Sequence, residues 1–438
     1  MTIDRRNFIA ASTALAVAPL FAKSATSTPS RAFPKGFLWG VATAGHQIEG
    51  NNINSDCWVM ENVQPTVFAE PSRDAANSFA LWRTDLDLAK NLGLNSYRFS
   101  LEWSRIEPEQ GLFSAAMLDH YKAIIAGCRA RGLVPMVTFN HYTSPRWFAA
   151  AGGWTNPESP TWFARYCERA TRHLGAQIGY ATTLNEPNIM NILRVVLPPQ
   201  IFDAQRAMLL AAARATASQK FVGGNAVNPE DIDAVTANLV AGHRAGRAAI
   251  KMIRPDLPVG VSLAMFDDQA VGTNSMRDAM RVKLYQPWLD AVRGDDFLGV
   301  QNYERQIWGG EGKLPAPAGV DVNYMGSEVY PPSLAGAVRY AYQATGVPII
   351  VSEHGVGTTD DKIRARLIPA ALAELKKAMD EGVPVKGYYH WSLIDNFEWI
   401  FGYKVKFGLH SVDPVTFVRT AKHSAAVYGA IARRDALA

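Results

Sequence analysis

Cysteine is scarce in this chain. Three occur in 438 residues, Cys57, Cys128 and Cys167. No two stand in a CxxC spacing, which excludes a disulfide framework and a cysteine-ligated zinc site. A single bridge stays open, but small buried hydrophobes are the expected state. Nine histidines are scattered without HExxH or comparable ligand spacing, so no metal centre is expected. Charge of one sign is also in short supply. The formal net charge is +4, and half of that excess comes from Arg5, Arg6 and Lys23 set against Asp4 near the start. Such a balance leaves no electrostatic footprint for nucleic acid or an anionic membrane surface. A glycine-rich phosphate loop is missing too. The first strand-like run is followed by AGHQIEGNN, which argues against a nucleotide-binding doubly wound sheet.

What is present is a globular composition, 48% hydrophobic and 19% charged, on a chain long enough for a large core. The N-terminal stretch stands apart. DRRNFIA places Arg5 and Arg6 before Phe8, and the weakly apolar FIAASTALAVAPLFA follows. That run is too short and alanine-rich to span a bilayer comfortably. The small and polar KSATSTPS comes next. The stretch resembles a bacterial twin-arginine export signal, with cleavage expected between Ala22 and Ser30. The expected organisation is therefore a signal over residues 1–30, a single folded domain over 31–438 and a periplasmic location, with no membrane insertion once the signal is removed.

Beyond the signal, β-branched runs alternate with amphipathic ones. Strands are expected at 37–43, 95–103, 134–140, 180–186, 258–264, 296–303, 348–355 and 386–393. Stretches such as TDLDLAKNLG, LDHYKAIIAGCRARG and IPAALAELKKAMDEG lie between them, and each closes near a glycine, a helix stop. The strands lack clean alternation, as expected where both faces of a parallel sheet are buried. Eight strand–helix repeats predict an α/β fold, a single (β/α)₈ TIM barrel.

Two strand ends carry bare carboxylates. TTLNEPN ends the fourth strand on Glu186, and VPIIVSEHGVG ends the seventh on Glu353. A lone buried carboxylate is costly, so each needs a use or a partner. Active sites of such barrels gather at the C-terminal ends of the strands, which brings both glutamates to one mouth. A facing carboxylate pair suits glycoside hydrolysis, in which one carboxyl protonates the leaving oxygen and the other attacks the anomeric carbon.

LNEPN and SEHG resemble the two catalytic signatures of glycoside hydrolase family 1, retaining β-glycosidases on a (β/α)₈ barrel. The likeness runs from about Phe33 to Tyr428 and includes FPKGFLWGVATAGHQIEG, DLDLAKNLGLNSYRFSLEWSRIEP, GYYHWSLIDNFEWIFGYKVKFGLHSVD and RTAKHSAAVY. It implies Glu186 as acid/base and Glu353 as nucleophile. Asn185 would hold the sugar 2-hydroxyl, and Arg98 and Tyr303 would support the ionised nucleophile. Gln47, His141, Glu398 and Trp399 would hydrogen-bond the non-reducing sugar, with Trp391 as its stacking floor. The implied substrate is a small β-glycoside with a terminal β-D-glucosyl residue, galactosyl and fucosyl residues being related options. No cofactor is implied, because side chains supply both the proton and the nucleophile.

The pattern departs from the family at several points. His354 stands for an asparagine after the nucleophile, Gln301 for an asparagine at the end of the sixth strand, Tyr142 for a tryptophan after His141, and Lys406 for an arginine. After Asn188 the glycine-rich segment common in the family is replaced by the apolar IMNILRVVLPPQIF. That segment predicts an apolar aglycone site, fitted to aryl or terpenoid glycosides. A catalytically silent sugar-binding relative should have lost one carboxylate, and both remain. Glu398 opposes a sugar phosphate, and Glu186 separates the chain from plant-type thioglucosidases. An enzyme dominated by transglycosylation stays open, as does the oligomeric state.

Overall fold

The computed structural model describes residues 32–437; the expected export signal lies outside them. Eight parallel strands close into a barrel: β1 (Leu38–Ala42), β2 (Ser96–Ser100), β3 (Val134–Asn140), β4 (Tyr180–Asn185), β5 (Val259–Ala264), β6 (Phe297–Asn302), β7 (Ile349–His354) and β8 (Val385–Trp391). Each pairs with the next in chain order, and β8 returns to β1. Every strand falls where its β-branched run predicts it, with ends differing by up to three residues.

A long helix follows each strand: α1 (Ser78–Asn91), α2 (Ala115–Ala130), α3 (Ser159–Leu174), α4 (Ile232–Ile253), α5 (Arg277–Ala291), α6 (Ser333–Thr345), α7 (Asp361–Asp380) and α8 (His423–Arg434). The glycine stops behave as expected. Gly132 after α2 and Gly382 after α7 sit at φ +73° and +101°, a backbone region that costs other residues a Cβ clash.

Two apolar layers result. The larger lies between sheet and helices and takes Val41, Val137, Val261 and Val351 from the outer strand faces. The smaller joins Leu38, Met136, Phe297, Ile350 and Tyr389, the strands' inward positions. The close fit is visible at Gly40, where an added Cβ would lie 2.3 Å from the Tyr389 ring. The three cysteines are buried and unpaired.

Strict alternation would turn both catalytic-signature segments the wrong way. Along β7, Ile349 and Val351 face the helices and Ile350 faces inward, so an unbroken period of two would send Glu353 outward. The register slips there. Val351 opposes Val300 while Glu353 opposes Gln301, two steps on β7 for one on β6. On β4, Ala181 packs outward, and Thr183 meets His243 of α4 at 2.7 Å. The register then slips between Thr182 and Asn185. Bulges of this kind re-aim side chains, and here they turn Asn185 and Glu353 into the mouth. Glu186 follows at φ +40°, its amide donating to Ser262 O at 2.8 Å.

Candidate active site

A cleft of about 330 Å³ opens over Glu186 and Glu353 at the C-terminal ends of the strands. Gln47, His141, Tyr303, Trp391, Glu398 and Trp399 also line it. Arg98 and Asn185 stand behind them, both buried. The structure thus brings together every residue singled out from the sequence.

Glu353 is clamped. Arg98 Nη1 donates to its Oε1 at 2.5 Å and Tyr303 Oη to its Oε2 at 2.6 Å. Arg98 is fully buried, so the pair is a desolvated one whose members need each other. Burial pushes the Glu353 carboxyl upward, and Arg98 first, then Tyr303, oppose it. Glu186 has no such cation bonded to it among the described residues. Burial, and next the charge of Glu353, push its pKa up to about 8. The pair therefore has one site built to hold a proton and one built to stay ionised.

Asn185 organises a second line of contacts. Its Oδ1 accepts from Arg98 Nη2 at 2.6 Å and from Gln301 Nε2 at 2.7 Å. The amide orientation is then fixed, so Nδ2 donates to His141 Nε2 across 3.1 Å. Burial, with Arg98 nearby, holds His141 well below its usual pKa, so its neutral ring carries the proton on Nδ1. One N–H of Asn185 and the Nδ1–H of His141 remain for a ligand. Among the described residues, His141 Nδ1 and Gln47 Oε1 are buried without a partner. Leaving such groups unpaired costs about 1–3 kcal/mol each, a cost that a polyhydroxylated ligand would remove.

The aromatic groups form one stack. His141 lies nearly parallel to Trp391 at 5.7 Å and to Trp399 at 6.2 Å. Trp391 Nε1 reaches Glu398 Oε1 at 3.4 Å. Gln47 is fixed by its own donation to Phe397 O at 2.8 Å.

The apolar departure after Asn188 folds as a helix, Ile189–Val196. Asn188 anchors it through two bonds with the backbone of Ala264, at 2.8 and 3.1 Å. Ile189, Ile192, Leu193 and Val196 line the cleft, a spacing that falls on one helical face. Phe266, Tyr324, Met325 and Phe401 line the cleft as well, so the approach to Glu186 is apolar.

Of the other departures, Gln301 enters the site as a holder of Asn185, a role missed in the sequence. Its place at a barrel strand's C-terminal end was the available signal. Tyr142 was missed as well: its hydroxyl donates to Glu186 Oε2. His354 turns away and bonds Tyr388 Oη at 2.8 Å through Nδ1. Arg364 Nη2 donates to the backbone O of Lys406 at 2.6 Å.

The model of the family described as "Glycosyl hydrolase family 1" matches residues 29–228 and 314–436. A β-glucosidase from Agrobacterium sp. is 30% identical, over 93% of this chain and 96% of its own. Among solved structures, "beta-glycosidase BGL167" is 45% identical with a TM-score of 0.87, covering 93% of this chain and 98% of that one. "Beta-glucosidase 1317" is 41% identical with a TM-score of 0.88, covering 91% and 98%. The segment between the two matched stretches contains β5 and β6, so Gln301 and Tyr303 fall outside the family match yet complete the barrel and the clamp on Glu353.

Proposed function

This chain belongs to glycosyl hydrolase family 1 and is a β-glycosidase, and we propose that it releases terminal β-D-glucosyl residues from apolar aglycones with retention of configuration. The observation that carries the mechanism is the unequal treatment of the two carboxyls. Glu353, held by Arg98 and Tyr303, attacks the anomeric carbon. Glu186, pushed up to about 8, gives its proton to the leaving oxygen. The glycosyl ester then removes the charge of Glu353. That loss makes Glu186 easier to ionise, and it draws a proton from the incoming water. Asn185 and His141 hold sugar hydroxyls, Glu398 and Gln47 fork onto neighbouring ones, and Trp391 covers the C–H face of the ring.

Following the first product by proton NMR tests this reading: β-glucose should appear first and mutarotate afterwards. Initial α-glucose would overturn it. A pH profile gives a second check. Glu186 must be protonated in the free enzyme, so kcat/KM for a substrate with a poor leaving group should fall as pH rises through about 8.

The apolar face of the Ile189–Val196 helix supports the aglycone assignment. An aryl β-glucoside should be turned over more efficiently than cellobiose. Leu193→Asn should raise KM for the aryl substrate by roughly tenfold, equivalent to about 1.4 kcal/mol of lost burial. A clear preference for cellobiose would contradict the assignment. The twin arginine Arg5–Arg6 supports export of the folded enzyme to the periplasm.

A further inference from the structure

Glu186 is held by a residue that the acid/base chemistry above does not name. Tyr142 stands two residues past the end of β3. Its backbone is left-handed, φ +66°, a conformation that costs a bulky residue energy and persists only where the surroundings impose it. Those surroundings are visible. Tyr142 O meets the backbone at Gly224 so closely that an added Cβ there would lie 1.8 Å away. Thr143 N donates to His141 O at 2.8 Å, and Asn140 Nδ2 to Thr143 O at 2.8 Å. The Tyr142 ring stands edge-on to Trp399 and to His141, each with centroids 5.2 Å apart. Held in this way, its hydroxyl donates to Glu186 Oε2. Glu186 Oε1 accepts no hydrogen bond among the described residues.

We propose that Tyr142 is a positioning residue for the acid/base carboxylate: its phenol fixes Oε2, favours the ionised form, and leaves Oε1 to exchange the proton. In the first step the proton on Oε1 passes to the leaving oxygen as the glycosidic bond breaks. In the second, water delivers a proton to Oε1 as its oxygen attacks the glycosyl ester. The inference rests on the acid/base reading of Glu186.

The charges around Glu186 are few. Burial and then Glu353 raise its pKa, while the Tyr142 hydrogen bond and then Arg98 lower it. Tyr303 and Tyr324 face it as neutral phenols, held protonated by burial. His141 stays neutral, held so by burial and then Arg98, and Glu398 is itself pushed upward, first by burial and also by the charge of Glu353. Tyr142 is therefore the one hydrogen-bond donor to this carboxylate among the described residues. Deleting a donor to the ionised form raises a carboxyl pKa.

The test uses Tyr142→Phe, with Tyr142→Leu as a second variant that likewise lacks a donor. In both, the alkaline limb of kcat/KM for methyl β-glucoside should move up by roughly half a pH unit or more. With 2,4-dinitrophenyl β-glucoside, whose leaving group needs no proton, kcat/KM should change less than about threefold while kcat falls about tenfold. An unmoved limb, or a uniform rise in KM alone, would overturn the proposal and leave Tyr142 as a packing or sugar-binding group. Glu186→Ala is assayed alongside with azide. Rescue by azide keeps the acid/base reading intact whatever Tyr142 does. Its absence would remove that reading and this inference with it.

Discussion

Replacing Glu353 by alanine should lower turnover of an aryl β-glucoside by on the order of 10⁵-fold, the scale of losing a covalent nucleophile. No neighbour can substitute: Tyr303 is kept protonated by burial and by the charge it faces, and Glu186 is needed as the acid. The variant should also be less stable. Arg98 is fully buried, and the carboxylate is its charge partner at 2.5 Å. Stranding one member of a buried pair costs about 3–5 kcal/mol. Glu353→Gln keeps an acceptor for Arg98 and should recover part of that stability while staying inactive. Thermal denaturation beside initial-rate assays separates the two effects. An alanine variant with more than about a hundredth of normal activity would mean that Glu353 is not the nucleophile.

The second large effect concerns Glu186→Ala and depends on the substrate. For methyl β-glucoside, whose leaving group requires protonation, kcat/KM should fall about 10²–10⁴-fold. For 2,4-dinitrophenyl β-glucoside the first step should be nearly unchanged, with an initial burst of phenolate followed by slow release of the trapped glycosyl group. Azide should speed that release and yield β-glucosyl azide. Equal losses on both substrates would assign Glu186 to binding instead. The removal should disturb folding less than the loss of Glu353, because the bonded partner of Glu186 is a phenol rather than a buried cation.

Much of this was legible in the chain because the governing signals are local. Eight β-branched runs, spaced by amphipathic stretches that close on glycine, give the barrel. The rule that barrel sites gather at strand ends then puts Glu186 and Glu353 in one mouth. The bulges were not legible. They depend on neighbouring strands advancing at different rates, and a strict two-residue period would have sent Asn185 and Glu353 toward the helices. Tyr142 and Gln301 could be seen as departures, but their partners lie 44 and 116 residues away in sequence. Nothing local told Gln301, which holds Asn185, from His354, which turns outward to Tyr388. The apolar segment after Asn188 could be read for its polarity. That it forms a helix with one face in the cleft follows from its anchor on β5, a contact made across 76 residues.

The most direct test of the central claim is to trap the glycosyl ester. Incubation with 2-deoxy-2-fluoro-β-glucosyl fluoride slows both steps, but the activated leaving group lets the ester accumulate. Intact mass followed by peptide mapping then locates the adduct. A single glycosyl group on the peptide containing VSEHG, esterified at Glu353, is the predicted result. An adduct on another residue, or turnover of aryl β-glucosides with no adduct at all, would contradict the account.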